Sequence, residues 1–132
     1  MNFDSLLFPH ENVREIQDKL VLKIDEVVRG GKNLIVHAPT GLGKTAASIA
    51  PCLKYAIEND KVVFFLTSRH TQHKIAMSTL SDIMKRFDKN FVAVSIVGKK
   101  GLCLQPGVSK LYTSEFNEYC RAMRKTRTEK KR

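Results

Sequence analysis

Apolar and polar positions along this chain repeat with two different periods, and the switches between them outline the elements. Between residues 11 and 29, Ile16, Leu20, Ile24 and Val27 recur every three or four positions, with Arg14, Lys19 and Lys23 elsewhere. That spacing predicts an amphipathic helix, and Gly30-Gly31 stop it. A short apolar run, Asn33 to Ala38, predicts a strand. Ala46, Ile49, Ala50, Leu53 and Ile57 then return to helical spacing over 44–59. Pro51 falls inside that helix, where its missing N–H should kink or loosen it. Val62-Val63-Phe64-Phe65-Leu66 is a second strand, spanning 61–67. Its unbroken apolar character suits burial on both faces. A third helix is expected over 68–87, with Ile75, Leu80, Ile83 and Phe87 inward, and a third strand over 91–97. Residues 33–97 thus read β-α-β-α-β, with connections long enough for parallel crossovers. Beyond Gly98 the pattern breaks. Gly101, Pro106 and Gly107 mark turns, and a short helix is expected from Thr113 or Ser114 to about Lys125.

The junction between the first strand and the second helix carries the chemistry. Ala38-Pro39-Thr40-Gly41-Leu42-Gly43-Lys44-Thr45 reads as a phosphate-binding loop of the Walker A type, closing on Gly-Lys-Thr. Gly41 and Gly43 allow close backbone approach and positive φ. Successive backbone N–H groups then form an anion-binding concavity. The helix beginning near Lys44 adds its unpaired N–H groups and the positive end of its dipole. Lys44 would reach the β- and γ-phosphates of a nucleotide such as ATP, and the Thr45 hydroxyl would coordinate Mg²⁺. Thr40, Gly41, Leu42 and Gly43 would line the phosphates. Ala38 stands where the strictest form of the motif has its first glycine.

Charge adds a second feature. The 132 residues carry 23 Lys and Arg against 13 Asp and Glu, a net +10. Residues 1–97 hold 13 basic and 10 acidic side chains, and residues 98–132 hold 10 and 3. The excess therefore sits in the last quarter, as either a nucleic-acid contact or a solvated basic tail. Tyr112, Phe116 and Tyr119 lie near that arm. They could stack on bases or form the apolar face of a short helix. Three cysteines, Cys52, Cys103 and Cys120, cannot all pair with one another, which favours reduced thiols inside a cell. The first residues lack the pattern of a secretion signal, and no apolar run approaches the ~20 residues of a membrane span. A cytoplasmic location, nuclear in a eukaryote, is the expectation.

Two flanking segments complete the pattern. Phe8-Pro9 and Arg14-Glu15-Ile16-Gln17 precede the loop. Gln17 could read an adenine edge or be an ordinary polar helix residue. Thr67-Ser68-Arg69-His70-Thr71-Gln72 follows the second strand. Its hydroxyls, guanidinium and amide suit a sugar–phosphate backbone, or a simple helix cap. Taken in order, these segments resemble the superfamily 2 DNA helicases, most closely the XPD-type iron–sulfur helicases of archaea, over Phe8 to about Arg132. The resemblance implies a partial RecA-like P-loop NTPase domain of the α/β class, a parallel sheet flanked by helices, with the start of an inserted iron–sulfur domain. Residues 1–97 would be the first half of helicase domain 1, and residues 98–132 the start of the cluster domain. By the same resemblance Gln17 would contact adenine. Thr67, Arg69 and Gln72 would lie along single-stranded DNA. Cys103 and Cys120 would be two of four ligands to a [4Fe–4S] cluster, and the whole enzyme would move 5′ to 3′.

Two departures bear on activity. A [4Fe–4S] cluster needs four thiolates, and this sequence offers two at suitable positions. Cys52, on the helix behind the loop, reads as a small buried hydrophobe. No Asp-Glu-x-His segment follows a later strand, and Asp25-Glu26 lies before the loop. The expectation is an N-terminal piece of a helicase that binds nucleotide and hydrolyses it negligibly. A small P-loop kinase, or a non-enzymatic basic nucleic-acid-binding protein, are the competing readings.

Overall fold

In the computed structural model, residues 3–10, 13 and 15–129 are described. Four helices account for the regular structure: α1 (Glu15–Arg29), α2 (Lys44–Asn59), α3 (His70–Phe87) and α4 (Thr113–Glu129). Short 3-10 turns lie at Phe3–Leu6 and Val108–Lys110. The described residues fall into two units, Met1–Ser95 and Ile96–Arg132.

Local chemistry explains the helix ends. After α1, Gly31 takes φ +61°. Lys32 N–H bonds the Val27 carbonyl at 3.0 Å and Gly31 N–H bonds that of Val28 at 3.2 Å, the double bond of a Schellman stop. Asp60 ends α2 at φ 51°, and Lys61 N–H reaches back to Ala56 at 2.9 Å. A short polar side chain tolerates that left-handed geometry. α4 opens with Glu115 accepting Tyr112 N–H at 2.7 Å, half of a capping box. It continues beyond the expected end near Lys125 to Glu129, because Arg, Ala, Met and Lys propagate a helix well once it is nucleated.

The core of the first unit lies where α2 packs on α1 and α3, closed at one end by the N-terminal segment. Phe8, Val21 and Ile83 are fully buried, among Ala46, Ala47, Ile49, Ala50 and Leu53. Small residues on α2 let its backbone approach its neighbours closely. Pro51 is fully buried and α2 runs through it without interruption. Arg86 on α3 holds the N-terminal segment, donating to Asp4 Oδ1 at 2.9 Å and to the Pro9 carbonyl at 3.4 Å. On α1 the buried face departs from the expected stripe at its start and agrees with it at Val27, with Leu20 packed against the core. Gln17, Val21 and Val27 are buried, whereas Ile16 is exposed. On α3, Ala76, Thr79 and Ile83 point inward and Ile75 does not.

The expected parallel sheet is not formed. Among the described residues there is no strand, and no backbone hydrogen bond links the segments 33–38, 61–67 and 91–97. A strand exists only through a neighbour ~4.8 Å away. Periodicity reports the pleat of one segment and carries no information about that neighbour. The pleat itself is visible. Val62, Phe64 and Leu66 are 79%, 80% and 88% exposed, while Val63 and Phe65 between them are 41% and 39% exposed. Val92 and Val94 are open in the same way, and Phe91 packs on the core. The α/β architecture is corrected accordingly: this is a helical assembly with apolar segments that lack pairing partners.

The two kinds of position should respond differently to substitution. Ile83→Ala, at a fully buried site, is expected to cost about 2–5 kcal/mol in chemical denaturation. Phe64→Ser should stay within about 0.5 kcal/mol of the parent. A comparable loss at both sites would mean that Phe64 is packed after all.

Candidate nucleotide site

The loop between residue 38 and α2 is shaped by two left-handed glycines. Gly41 has φ +86° and Gly43 φ +76°. Gly43 is the N-cap of α2, and no side chain caps that end. The first-turn N–H groups of α2 are thus open to an external acceptor, and the helix dipole favours an anion there. Leu42 is buried and anchors the loop, while Thr40, Gly41, Gly43 and Lys44 are exposed and Thr45 half-buried.

Lys44 folds back over the loop, its ammonium donating to the carbonyls of Pro39 at 2.7 Å and Ala38 at 3.2 Å. Ser48 Oγ donates to the carbonyls of Lys44 at 2.9 Å and Thr45 at 3.1 Å. These bonds tie the first turn of α2 internally and leave the Thr45 hydroxyl without a competing role in them. A hard oxygen donor beside a lysine and open amides is the donor set that suits Mg²⁺ on a polyphosphate. The residues present therefore fit Mg·ATP.

Gln17 lies on α1 and faces the turn that opens α2. It is 4% exposed, and its Nε2 donates to the Gly43 carbonyl at 3.2 Å. Sequence reasoning missed this bond. The signal available was the first turn of α1, where position 17 is buried in place of 16.

Thr67, Arg69 and Gln72 come together where α3 begins. Thr67 Oγ1 donates to the Arg69 carbonyl at 3.3 Å, and Gln72 N–H donates to the same carbonyl at 3.0 Å. Arg69 and Gln72 are exposed. Nearby, His73 Nδ1 lies 3.5 Å from Ser95 Oγ and its ring 6.0 Å from that of His70.

Asp25 and Glu26 belong to α1 and are occupied there. Asp25 accepts from Arg29 at 3.0 Å and Glu26 pairs with Lys23 at 2.8 Å. The hydrogen bond and charge of Lys23 hold the Glu26 carboxyl below its ordinary range. Cys52 is a half-buried free thiol on α2, its pKa raised first by burial, with the Asp25 charge adding to the effect. Cys103 and Cys120 are half-buried free thiols of the second unit. Among the described residues no three His, Cys, Asp or Glu side chains converge on a possible metal site. Cys103 and Cys120 would supply two of the four thiolates that a [4Fe–4S] cluster needs. Among the described residues no helix is long and apolar enough to cross a membrane.

The turn with left-handed Gly41 and Gly43 opens α2, and polar side chains open the next helix. Residues 14–110 match the DEAD/DEAH box helicase family, and the chain belongs to it. It is 35% identical over 116 residues to a probable ATP-dependent helicase of Methanocaldococcus jannaschii, a match covering 86% of this chain and 17% of that one. It is 25% identical over 127 residues to the general transcription and DNA repair factor IIH helicase subunit XPD/RAD3 of Saccharomyces cerevisiae, covering 89% and 16%. The chain therefore spans about a sixth of the length of these relatives. No solved structure matches it significantly.

Gly43→Ala tests the loop directly. A Cβ there would lie 2.3 Å from Gln17 Nε2 in a backbone conformation that alanine resists. A loss of about 1–3 kcal/mol in denaturant unfolding is expected from the left-handed backbone and the displaced amide. Unchanged stability would show that residue 43 does not hold positive φ.

Proposed function

We propose that this chain is the ATP-binding portion of an ATP-dependent DNA helicase, and that its own activity is binding rather than turnover. The observation that carries this reading is the left-handed Gly43 at the uncapped start of α2, with the Lys44 ammonium resting on the loop carbonyls. A triphosphate is a stronger acceptor than two neutral carbonyls, since hydrogen bonds between ionised partners are roughly twice as strong. On binding, Lys44 exchanges Pro39 and Ala38 for the β- and γ-phosphate oxygens. The open amides of α2 take further phosphate oxygens, and Thr45 holds the Mg²⁺ that neutralises them.

Hydrolysis asks for more: an acidic pair to hold the metal and orient water, and an arginine at the γ-phosphate. Asp25 and Glu26 are committed to Arg29 and Lys23 on α1, so neither serves. In the whole helicase, Thr67, Arg69 and Gln72 would contact the backbone of single-stranded DNA. The basic arm over residues 98–132 would add non-specific affinity, and nucleotide cycles would drive 5′-to-3′ movement. The name of the yeast relative places that protein in transcription and DNA repair, and nucleic-acid maintenance is the setting proposed here.

Calorimetric titration of the 132-residue chain with Mg·ATP should give saturable heat, and Lys44→Ala should weaken it at least about tenfold, the loss of a charge-assisted contact. Phosphate release should remain at background in both. Equal affinity in the variant, or Lys44-dependent turnover by the parent chain, would overturn this reading.

A further inference from the structure

Six apolar side chains on the extended segments of the first unit stand in water. Ile35, Val62, Phe64, Leu66, Val92 and Val94 are each three-quarters exposed or more. Five of them are the outward half of an alternation. Val63 and Phe65 are about half as exposed as their neighbours, and Phe91 packs on the core. Residues 61–67 and 91–95 therefore each turn one side inward and the other to solvent.

Such a face calls for a cover. Single soluble chains rarely expose apolar patches beyond a few hundred Å², and they guard extended edges with lysines and prolines. Neither a charged residue nor a proline interrupts 62–66 or 91–97, and Lys61 and Lys89 stand outside these runs. The area is also of the right size. A stable pair buries about 800 Å² on each partner. Six large apolar side chains, at roughly 150 Å² each, supply that much.

Charge decides among the partners. A nucleic acid or an acidic protein would need cations in the face, and the runs contain none. A second copy needs none, because an uncharged apolar surface matches itself across a two-fold axis. The charge elsewhere in the chain allows this approach. Residues 1–97 hold 13 basic and 10 acidic side chains, while residues 98–132 hold 10 and 3. Most of the repulsion between copies thus arises in the last quarter, away from the apolar runs.

We propose that this chain forms a two-fold symmetric dimer through the outward sides of residues 61–67 and 91–95. Each copy has one such face, so pairing uses it up and closes the assembly. The inference goes beyond the nucleotide reading and does not depend on it. Pairing is concentration-dependent, so well-diluted chains unfold singly.

Sedimentation of the 132-residue chain over a range of concentration and salt is the test. Its mean mass should rise from that of one chain near about 1 µM to that of two near about 200 µM. Added salt should strengthen pairing, since it screens copies of net charge +10 from each other. Phe64→Lys sets a charge in the buried face and should raise the concentration needed at least about tenfold. Ile16→Lys, at an exposed apolar position of α1, should pair like the parent. A parent mass fixed at one chain would overturn the dimer, and so would growth past two chains. Pairing that weakens with salt, survives Phe64→Lys unchanged, or is lost equally in Ile16→Lys would do the same.

A second measurement needs no variant. Methyl resonances of Val62, Leu66 and Val92 should move as the parent chain is concentrated, while those of Val21 and Ile83, fully buried in the core, hold still. No movement, or equal movement of both groups, counts against the dimer even if Phe64→Lys fails to fold.

Discussion

The first unit is organised around one carbonyl oxygen. At Gly43 the chain leaves the loop, turns through left-handed backbone and begins α2. The same oxygen starts the α2 hydrogen-bond ladder and receives the side chain that joins α1 to it. Three demands thus meet at one residue: positive φ, no Cβ, and a carbonyl turned toward α1. Only glycine meets the first two without strain. The third makes the packing of α1 on α2 a condition for the shape of the loop, so core packing and ligand geometry are one problem here. Val21 and Ala47 are both fully buried in the core that α1 and α2 share.

The helices were legible from the sequence because each carries its own signal. A period near 3.6 and a glycine stop define α1, and the Gly-Lys-Thr turn marks where α2 begins. The left-handed glycines at 41 and 43 were legible for the same reason, since that geometry is local. Two things were not. The start of the α1 stripe turns on which of two adjacent residues is buried. Hydropathy puts Ile16 inside, but the glycine at 43 leaves a space that a long amide fills with a hydrogen bond and that an isoleucine would leave unsatisfied. Pairing of the extended segments was the other. Alternation at 62–66 is present as read, yet a ladder depends on partners that no local pattern specifies.

Charge tells a similar story at the surface. Most of the acidic side chains of α1 and α2 are spent on neighbours: Arg29 bridges Asp25 and Glu58, and Lys54 also approaches Glu58. Arg29 and Lys54 together hold the Glu58 carboxyl below its ordinary range, the Arg29 hydrogen bond first. Such exposed pairs contribute little to stability. What they change is the availability of carboxylates. None of these acidic groups is left to compete with a phosphate for Lys44, whose contacts are to backbone carbonyls alone. The loop cation is therefore held by two neutral hydrogen bonds and by no carboxylate among the described residues.

The unpaired segments add a last constraint. A phosphate loop has two supports, the extended segment that enters it and the helix that leaves it. In this chain the entering segment is weakly held: Ile35 is 99% exposed, and no backbone bond joins 33–38 to another extended segment. The loop must therefore take its shape from the helix side. Leu42 is buried, Gly43 is fixed by Ala47 and Gln17, and Lys44 and Thr45 are tied through Ser48. All of these contacts lie at or after residue 42 or come from α1. A site supported from one side keeps its amides in place as long as α1 stays docked on α2. Its Ala38–Thr40 end is free to adjust when the Lys44 ammonium lets go of the carbonyls there. The shape of the loop is in this sense a property of a helix pair.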